Sequence, residues 1–297
     1  MSYWKKITNY IYFHEPLDLE TQKRALNLKH LKMVNNKLVP NNLQKYKAVN
    51  HKHRLGFYKF ISELRIHLKS HGFTEIKPKG VQSTFDCFGR LLEDKTHPSR
   101  SEIDTFYLPF DIEIDPQNIK ASPIPLKDLA ISNHNGKLTA NAVLNTHTTA
   151  RAFSYYSKNG TASEKYFIIG RVFRNQRQDK THTIEFHQLE ISCFSKNISL
   201  ASLIEVYNLI FAFAGWSKSD IRFKQCFYSY TEPSLEAEVK INGTWIEICG
   251  GGLFKRALLD QIGVNKKINA LGTGIGLERL YSLYAQMSDI RQLLVTY

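Results

Sequence analysis

Two arginines of the 297-residue chain stand where the surrounding pattern would aim them at one ligand. Arg174 closes the apolar run Phe167-Ile168-Ile169-Gly170-Arg171-Val172-Phe173. After the polar segment Asn175–Thr183 the chain returns as Ile184-Glu185-Phe186-His187-Gln188-Leu189-Glu190. Read as a hairpin, this puts Arg174 at the loop mouth and Phe186 on the returning strand. A guanidinium there can clamp phosphate oxygens bidentately, and the facing ring can stack on a nucleobase. An ordinary hairpin with a surface arginine and a core phenylalanine has the same pattern. Arg279 falls in the first turn of a helix opened by Gly272-Thr273-Gly274-Ile275-Gly276, which reads as a glycine-rich turn. A helix N-terminus favours anions, and Arg279 adds a full charge to it. Before it, Trp245-Ile246-Glu247-Ile248-Cys249 reads as a strand running into Gly250-Gly251-Gly252, a floor that a ligand can approach closely. Glu247 could hold Mg2+ beside a triphosphate. Together these residues suit ATP held for attack on its α-phosphate.

The elements that must position them are short and strand-rich. Phe57, Phe60, Ile61, Leu64 and Leu68 recur at helical spacing, with Gly72 where a C-cap belongs. Strand-like runs follow at Asp104–Pro109, Tyr166–Phe173, Glu185–Phe194, Glu236–Lys240 and Thr244–Ile248, with turn-rich pieces at Ser132–Gly136 and 158–160. Further helices are expected at Leu200–Phe213 and from Gly276 onward. Many strands, with helices that do not alternate regularly with them, predict an α+β fold with a central antiparallel sheet flanked by helices. A doubly wound parallel sheet fits poorly, and no Walker or G-x-G-x-x-G loop follows a strand.

Composition bounds the partners. Forty Lys and Arg against 27 Asp and Glu give +13, and residues 1–54 hold 11 basic and 3 acidic side chains, hence +8. Such a surplus points to a polyanion, nucleic acid first. Residues 1–50 read as a basic N-terminal extension and 51–297 as the catalytic domain. Within the extension, Leu19–Val34 has the pattern of a basic amphipathic helix, lying along RNA or packed as a lid. The most apolar stretch, Leu203 to Trp216, is interrupted by Glu205 and Asn208, so no membrane span is expected. The first 13 residues do not make a signal peptide. Four scattered cysteines (87, 193, 226, 249) make no C-x-x-C pair, which speaks against a disulfide scaffold or structural zinc. A cytoplasmic protein is expected.

From about His51 onward the chain resembles the class II aminoacyl-tRNA synthetases, and within them the catalytic domain of the phenylalanyl-tRNA synthetase α subunit in its archaeal and eukaryotic form. The resemblance rests on blocks in family order: His97-Pro98-Ser99-Arg100, Asp104-Thr105-Phe106-Tyr107-Leu108, Leu144-Asn145-Thr146-His147-Thr148-Thr149, Gly170–Arg174, Thr181-His182, Phe186–Glu190, Tyr230-Thr231-Glu232-Pro233-Ser234 and Gly274–Arg279. It implies catalysis by Arg174 on the α-phosphate and Arg279 on the γ-phosphate. Phe186 would stack on adenine, and Gln176 and His182 would complete the ATP site. Glu247 and Glu232 become candidates for Mg2+. His147, Thr149, Gln188 and Glu190 would surround the ammonium and carboxylate of the amino acid, and Tyr228, Tyr230 and Gly251 would line its side-chain pocket. ATP and Mg2+ are the implied cofactors. Amino acid and tRNA are the implied partners, together with a β-type subunit and a homodimer or larger assembly built on the Phe57–Leu68 helix.

The chain also departs from the family pattern. Gln176 stands where the family has an acidic residue, and Asn145 where it has arginine; Pro78 and Gln82 leave motif 1 degraded. The family's Phe-Pro-Phe reads Tyr228-Ser229-Tyr230, and its Gly-Gly-Ala-Gly floor reads Cys249-Gly250-Gly251-Gly252. Gly251 would remove a methyl near the para position of a bound ring, while the tyrosines add hydroxyls. Either those hydroxyls face the pocket and change its substrate, or they bond elsewhere. The chain stops 18 residues after Arg279, and neither a C-terminal anticodon-binding domain nor an N-terminal coiled-coil arm is expected. Three readings follow: activation of an aromatic amino acid, phenylalanine first, with transfer to tRNA; a free-standing paralogue with a non-tRNA acceptor; and a non-catalytic RNA-binding relic. Phosphoserine is a poor match to two tyrosines.

Overall fold

A computed structural model describes residues 31–34, 37–40, 51–161 and 164–293 of the chain. Strands β1 (Leu31–Val34) and β2 (Lys37–Pro40) pair antiparallel, Leu31 opposite Pro40. The helix expected over Leu19–Val34 therefore does not reach its end. Two short runs containing Val34 and Val39 flank Asn35-Asn36, a sequence suited to a two-residue hairpin connection. Residues 19–30 lie outside the described residues.

The order then runs α1 (His51–Ser70), β3 (Thr74–Glu75), β4 (Val81–Ser83), α2 (Thr84–Cys87), β5 (Tyr107–Glu113), α3 (Pro116–Lys120), β6 (Ser132–His134) and β7 (Lys137–Leu144). It continues with α4 (Thr148–Asn159), β8 (Lys165–Phe173), β9 (Glu185–Ser195), α5 (Leu200–Phe213), β10 (Ile221–Tyr228), β11 (Thr231–Ile241) and β12 (Thr244–Phe254). It closes with α6 (Arg256–Gln261), β13 (Asn269–Gly276) and α7 (Leu277–Tyr284). The larger sheet has the order β10-β11-β12-β13-β9-β8-β3, antiparallel throughout except for β3 beside β8. A smaller sheet, β4-β7-β5 with β6 beside β7, lies next to it in the chain order. The α+β expectation holds. The glycines 272–276, expected as a turn, are instead the last residues of a central strand.

Helix α1 forms because its apolar residues fall on one stripe, and it stops in a Schellman turn. Gly72 takes φ +82°, its N–H donates to Lys69 O, and Phe73 N–H donates to Leu68 O. The stripe of Phe57, Phe60, Ile61, Leu64 and Leu68 is buried against α5 and one face of the sheet, meeting Phe167, Ile169, Leu189 and Leu271. These residues therefore belong to the chain's own core, and any subunit contact of this helix would use its outer face. Outward, α1 leaves Leu55 and Ile66, 72% and 69% exposed, together with Tyr58. On the sheet's other face, Ile168 and Phe194 pack with Phe153 and Tyr156 of α4. Burial on both faces explains why β8 reads as a nearly unbroken apolar run.

Candidate active site

The β8–β9 hairpin is formed as expected: Phe173 faces Glu185, Val172 faces Phe186, and Arg174 N–H closes onto Ile184 O at 2.9 Å. Arg174 lies with its guanidinium carbon 5.5 Å from the centroid of the Phe186 ring. A cavity of about 820 Å³ opens here, and the lining joins residues far apart in sequence. Of those singled out above, Arg174, Gln176, His182, Phe186, Glu247 and Arg279 line it, as do His147, Thr149, Gln188, Tyr228 and Tyr230.

At the arginine end, Arg279 is held by a relay. Its Nη2 lies 3.2 Å from His182 Nε2 and its Nη1 donates to Glu247 O at 3.3 Å. A guanidinium can only donate, so Nε2 accepts and the ring proton sits on Nδ1, which faces the Asp179 carboxylate at 3.0 Å. The Thr181 backbone N–H holds the Asp179 carboxyl well below the usual range. Burial lowers the pKa of Arg174, and the neighbouring Arg279 charge lowers it further, as expected where two cations share a cavity. Gln176 donates from Nε2 to Asp104 at 3.0 Å, which leaves its Oε1 free as an acceptor. Glu278 accepts from His187 N–H and Nδ1, joining α7 to β9.

At the other end, His147 caps α4. Its Nε2 lies 3.0 Å from Cys87 O, so Nε2 carries the proton, and Nδ1 accepts from Ala150 N–H. Burial lowers its pKa to about 4, with Arg174 adding to the effect, and the ring is neutral at pH 7. With both nitrogens engaged, His147 offers a wall and no hydrogen bond. Gln188 Oε1 accepts from Thr148 N–H and lies 3.1 Å from the Thr148 hydroxyl, so its amide nitrogen remains as a donor near Gly274. Glu190 is 2% exposed and does not line the cavity; it sits behind Thr149, whose hydroxyl donates to it at 2.8 Å. Burial pushes its carboxyl up to about 8.

Besides Glu190, two more of the expected residues stand away from the cavity. Glu232 lies outside the cavity, its side chain 78% exposed and 4.0 Å from Lys255. The carboxylate that accompanies Glu247 at the cavity is Glu236, whose carboxyl is raised by burial and by Glu247 itself. Gly251 does not line the cavity either. A Cβ there would stand 2.3 Å from Gly272 O, in the neighbouring strand. The floor is Gly250, where a Cβ would stand 1.9 Å from the Tyr228 hydroxyl. The cause is a register shift: Ala237 faces Cys249 but Glu238 faces Glu247, which leaves Ile248 as an extra residue. That bulge moves the alternation of β12 by one. Glu93, Asp104, Glu236 and Glu278 also line the cavity and were not singled out in sequence. Glu236 could have been found from its period-two alternation with Glu238.

A family model described as "tRNA synthetases class II core domain (F)" matches residues 26–296. The chain is 33% identical over 245 residues to the phenylalanine–tRNA ligase alpha subunit of Archaeoglobus fulgidus, covering 80% of this chain and 51% of the relative. It is 34% identical over 242 residues to the protein of that name from Methanocaldococcus jannaschii, covering 79% and 50%. To that of Schizosaccharomyces pombe it is 34% identical over 259 residues, covering 80% and 49%. The chain thus spans about half the length of these relatives. Among solved structures, pyrrolysyl-tRNA synthetase from Desulfitobacterium hafniense superposes with a TM-score of 0.60 at 15% identity, covering 84% of this chain and 76% of that one.

Proposed function

Because the chain belongs to the family of class II tRNA synthetase core domains of the F type, we propose that it joins an aromatic amino acid to AMP from ATP and passes the acyl group to tRNA. One observation carries this reading: Arg174 over Phe186, the relayed Arg279, and the Gln188–Thr149 wall all open into a single cavity. An oxygen of the amino acid's carboxylate attacks the α-phosphorus, the bond to the β-phosphate oxygen breaks, and pyrophosphate leaves with that electron pair. Arg174 stabilises the charge that builds on the α-phosphate, and Arg279 holds the far end of the triphosphate. Phe186 receives adenine, and Gln176 Oε1, fixed by Asp104, is an acceptor for an exocyclic amine. Gln188 Nε2 donates to the substrate's carboxyl group. No protein nucleophile is needed, because positioning and electrostatics supply the acceleration.

Magnesium, when bound, would neutralise phosphate charge. Glu247 and Glu236 fit it, since Mg2+ in such sites takes one or two carboxylates and completes its shell with phosphate oxygens and water. Among the described residues there is no cluster of three or more metal-type ligands, so a dedicated metal cage is not part of the proposal. Transfer follows when a hydroxyl of the tRNA 3′ end attacks the acyl carbon and AMP departs. The relatives are named alpha subunits, and on that ground we extend to this chain a β-type partner in a homodimer or larger assembly, in the cytoplasm. Among the described residues no helix is long and apolar enough to cross a membrane. Acylation of total tRNA with labelled phenylalanine or tyrosine tests the transfer: charged tRNA is expected, and adenylate formation without charging would contradict it.

A further inference from the structure

Glu93 is a buried carboxylate on the cavity wall to which the mechanism above gives no task. It follows Leu92, which takes φ +66°, and its side chain is 10% exposed. Ser229 Oγ donates to its Oε1 at 2.9 Å and Ser99 Oγ to its Oε2 at 3.0 Å, while His97 Nδ1 lies 3.6 Å from Oε2. A carboxylate offers about four acceptor positions, so two hydroxyl donors leave capacity toward the cavity.

Its position is fixed relative to the amino-acid end. Ser229 stands between Tyr228 and Tyr230, whose rings stack with centroids 6.2 Å apart. Burial raises the Tyr230 hydroxyl, and the charges of Glu190 and Glu93 add to the effect, so both carboxylates lie within electrostatic reach of this ring. Phe88 and Phe227 add aromatic surface to the lining. Aromatic rings and a buried hydrogen-bond acceptor thus line the same cavity and are joined through Ser229. An unsubstituted ring pressed against that carboxylate would strip it of water without replacing a bond, which is costly for a buried charged group.

Resting on the activation reading, we propose that Glu93 makes the site selective for aromatic amino acids whose ring carries a hydrogen-bond donor, such as a phenolic hydroxyl or an aryl amine, over phenylalanine itself. Sites built to bond a substrate hydroxyl reject the analogue that lacks it far more strongly than apolar pockets reject a missing methylene.

The test is ATP–pyrophosphate exchange by the full chain with phenylalanine, tyrosine, 3,4-dihydroxyphenylalanine and 4-aminophenylalanine. The best donor-bearing ring should exceed phenylalanine in kcat/KM by about tenfold or more. In Glu93→Gln, which keeps the shape and the serine partners, that ratio should fall by about tenfold. Phenylalanine used as well as or better than every donor-bearing ring overturns the proposal without any variant. So does a Glu93→Gln variant that slows all four alike. No exchange with any amino acid contradicts the activation reading instead. The ranking is then read by calorimetric binding of the same four amino acids, where tightest binding of phenylalanine overturns the proposal and tightest binding of a donor-bearing ring supports it.

Discussion

Arg174 owes its place to the end of β8, to the Ile184 carbonyl and to the face of Phe186. The first two are backbone features and survive loss of the guanidinium, which removes only the ring contact, so Arg174→Ala should leave the melting temperature close to wild type. Exchange should nevertheless fall by about 10² to 10³ in kcat, the range seen when a preorganised donor to a developing anion is lost. Retention of full exchange would remove Arg174 from the chemistry. Glu190 makes a prediction about pH. Its carboxyl titrates at about 8 in the folded chain against an ordinary 4.5. Between those values the folded chain holds a proton that the unfolded chain has lost, so this group's contribution to stability declines as pH rises from about 4.5 to about 8. Glu190→Gln stays neutral, and its melting temperature should gain on wild type across that interval. A gap between the two that stays constant with pH would refute the assignment. The arginines and Phe186 were legible in sequence because a hairpin announces itself through two apolar runs. Glu93 and Asp104 were not, since each reaches the cavity from an irregular segment whose path no periodicity fixes.

At the scale of elements, the strand positions were legible and their phase was not. Alternation from Glu247 would put Cys249 and Gly251 on the cavity face. The bulge at Ile248 hands that role to Gly250, and the register shift between Thr231 and Ser234 accompanies the turning away of Glu232. Gly250→Ala and Gly251→Ala should therefore behave differently. A methyl at Gly251 meets the Gly272 and Thr273 backbone, and overpacking of this kind costs about 1–3 kcal/mol. Thermal unfolding should show it as a lowered midpoint. A methyl at Gly250 meets the end of the Tyr228 side chain, which can swing into the cavity. Here the midpoint should hold while the KM for the amino acid rises. A variant at Gly251 that melts normally but changes substrate preference would contradict this placement. Helix α5 was legible residue for residue, because Leu200–Phe213 is bounded by Ser199 and by Ala214-Gly215.

At the scale of the molecule, the charge is lopsided: +8 of the +13 falls within residues 1–54, while the cavity belongs to the rest. RNA affinity and adenylate chemistry should separate accordingly. Removing residues 1–45 should weaken tRNA binding by about tenfold or more near 0.1 M salt and flatten its salt dependence, since phosphate contacts by Lys and Arg dominate such binding. Filter binding across a salt series, beside exchange on the same protein, reads both; an equal loss of both would show that the segment supports the cavity. The fold class was legible because strands outnumber helices without alternating with them. What the apolar stripe of α1 packs against was not, because an amphipathic helix reads the same whether its stripe meets the chain's own core or another subunit.

The most direct test is ATP–pyrophosphate exchange on the purified chain with each of the twenty amino acids in turn. Exchange should depend on an aromatic amino acid and vanish without it. Exchange driven by a non-aromatic amino acid, or none with any of the twenty, would contradict the assignment of this cavity to aromatic amino-acid activation.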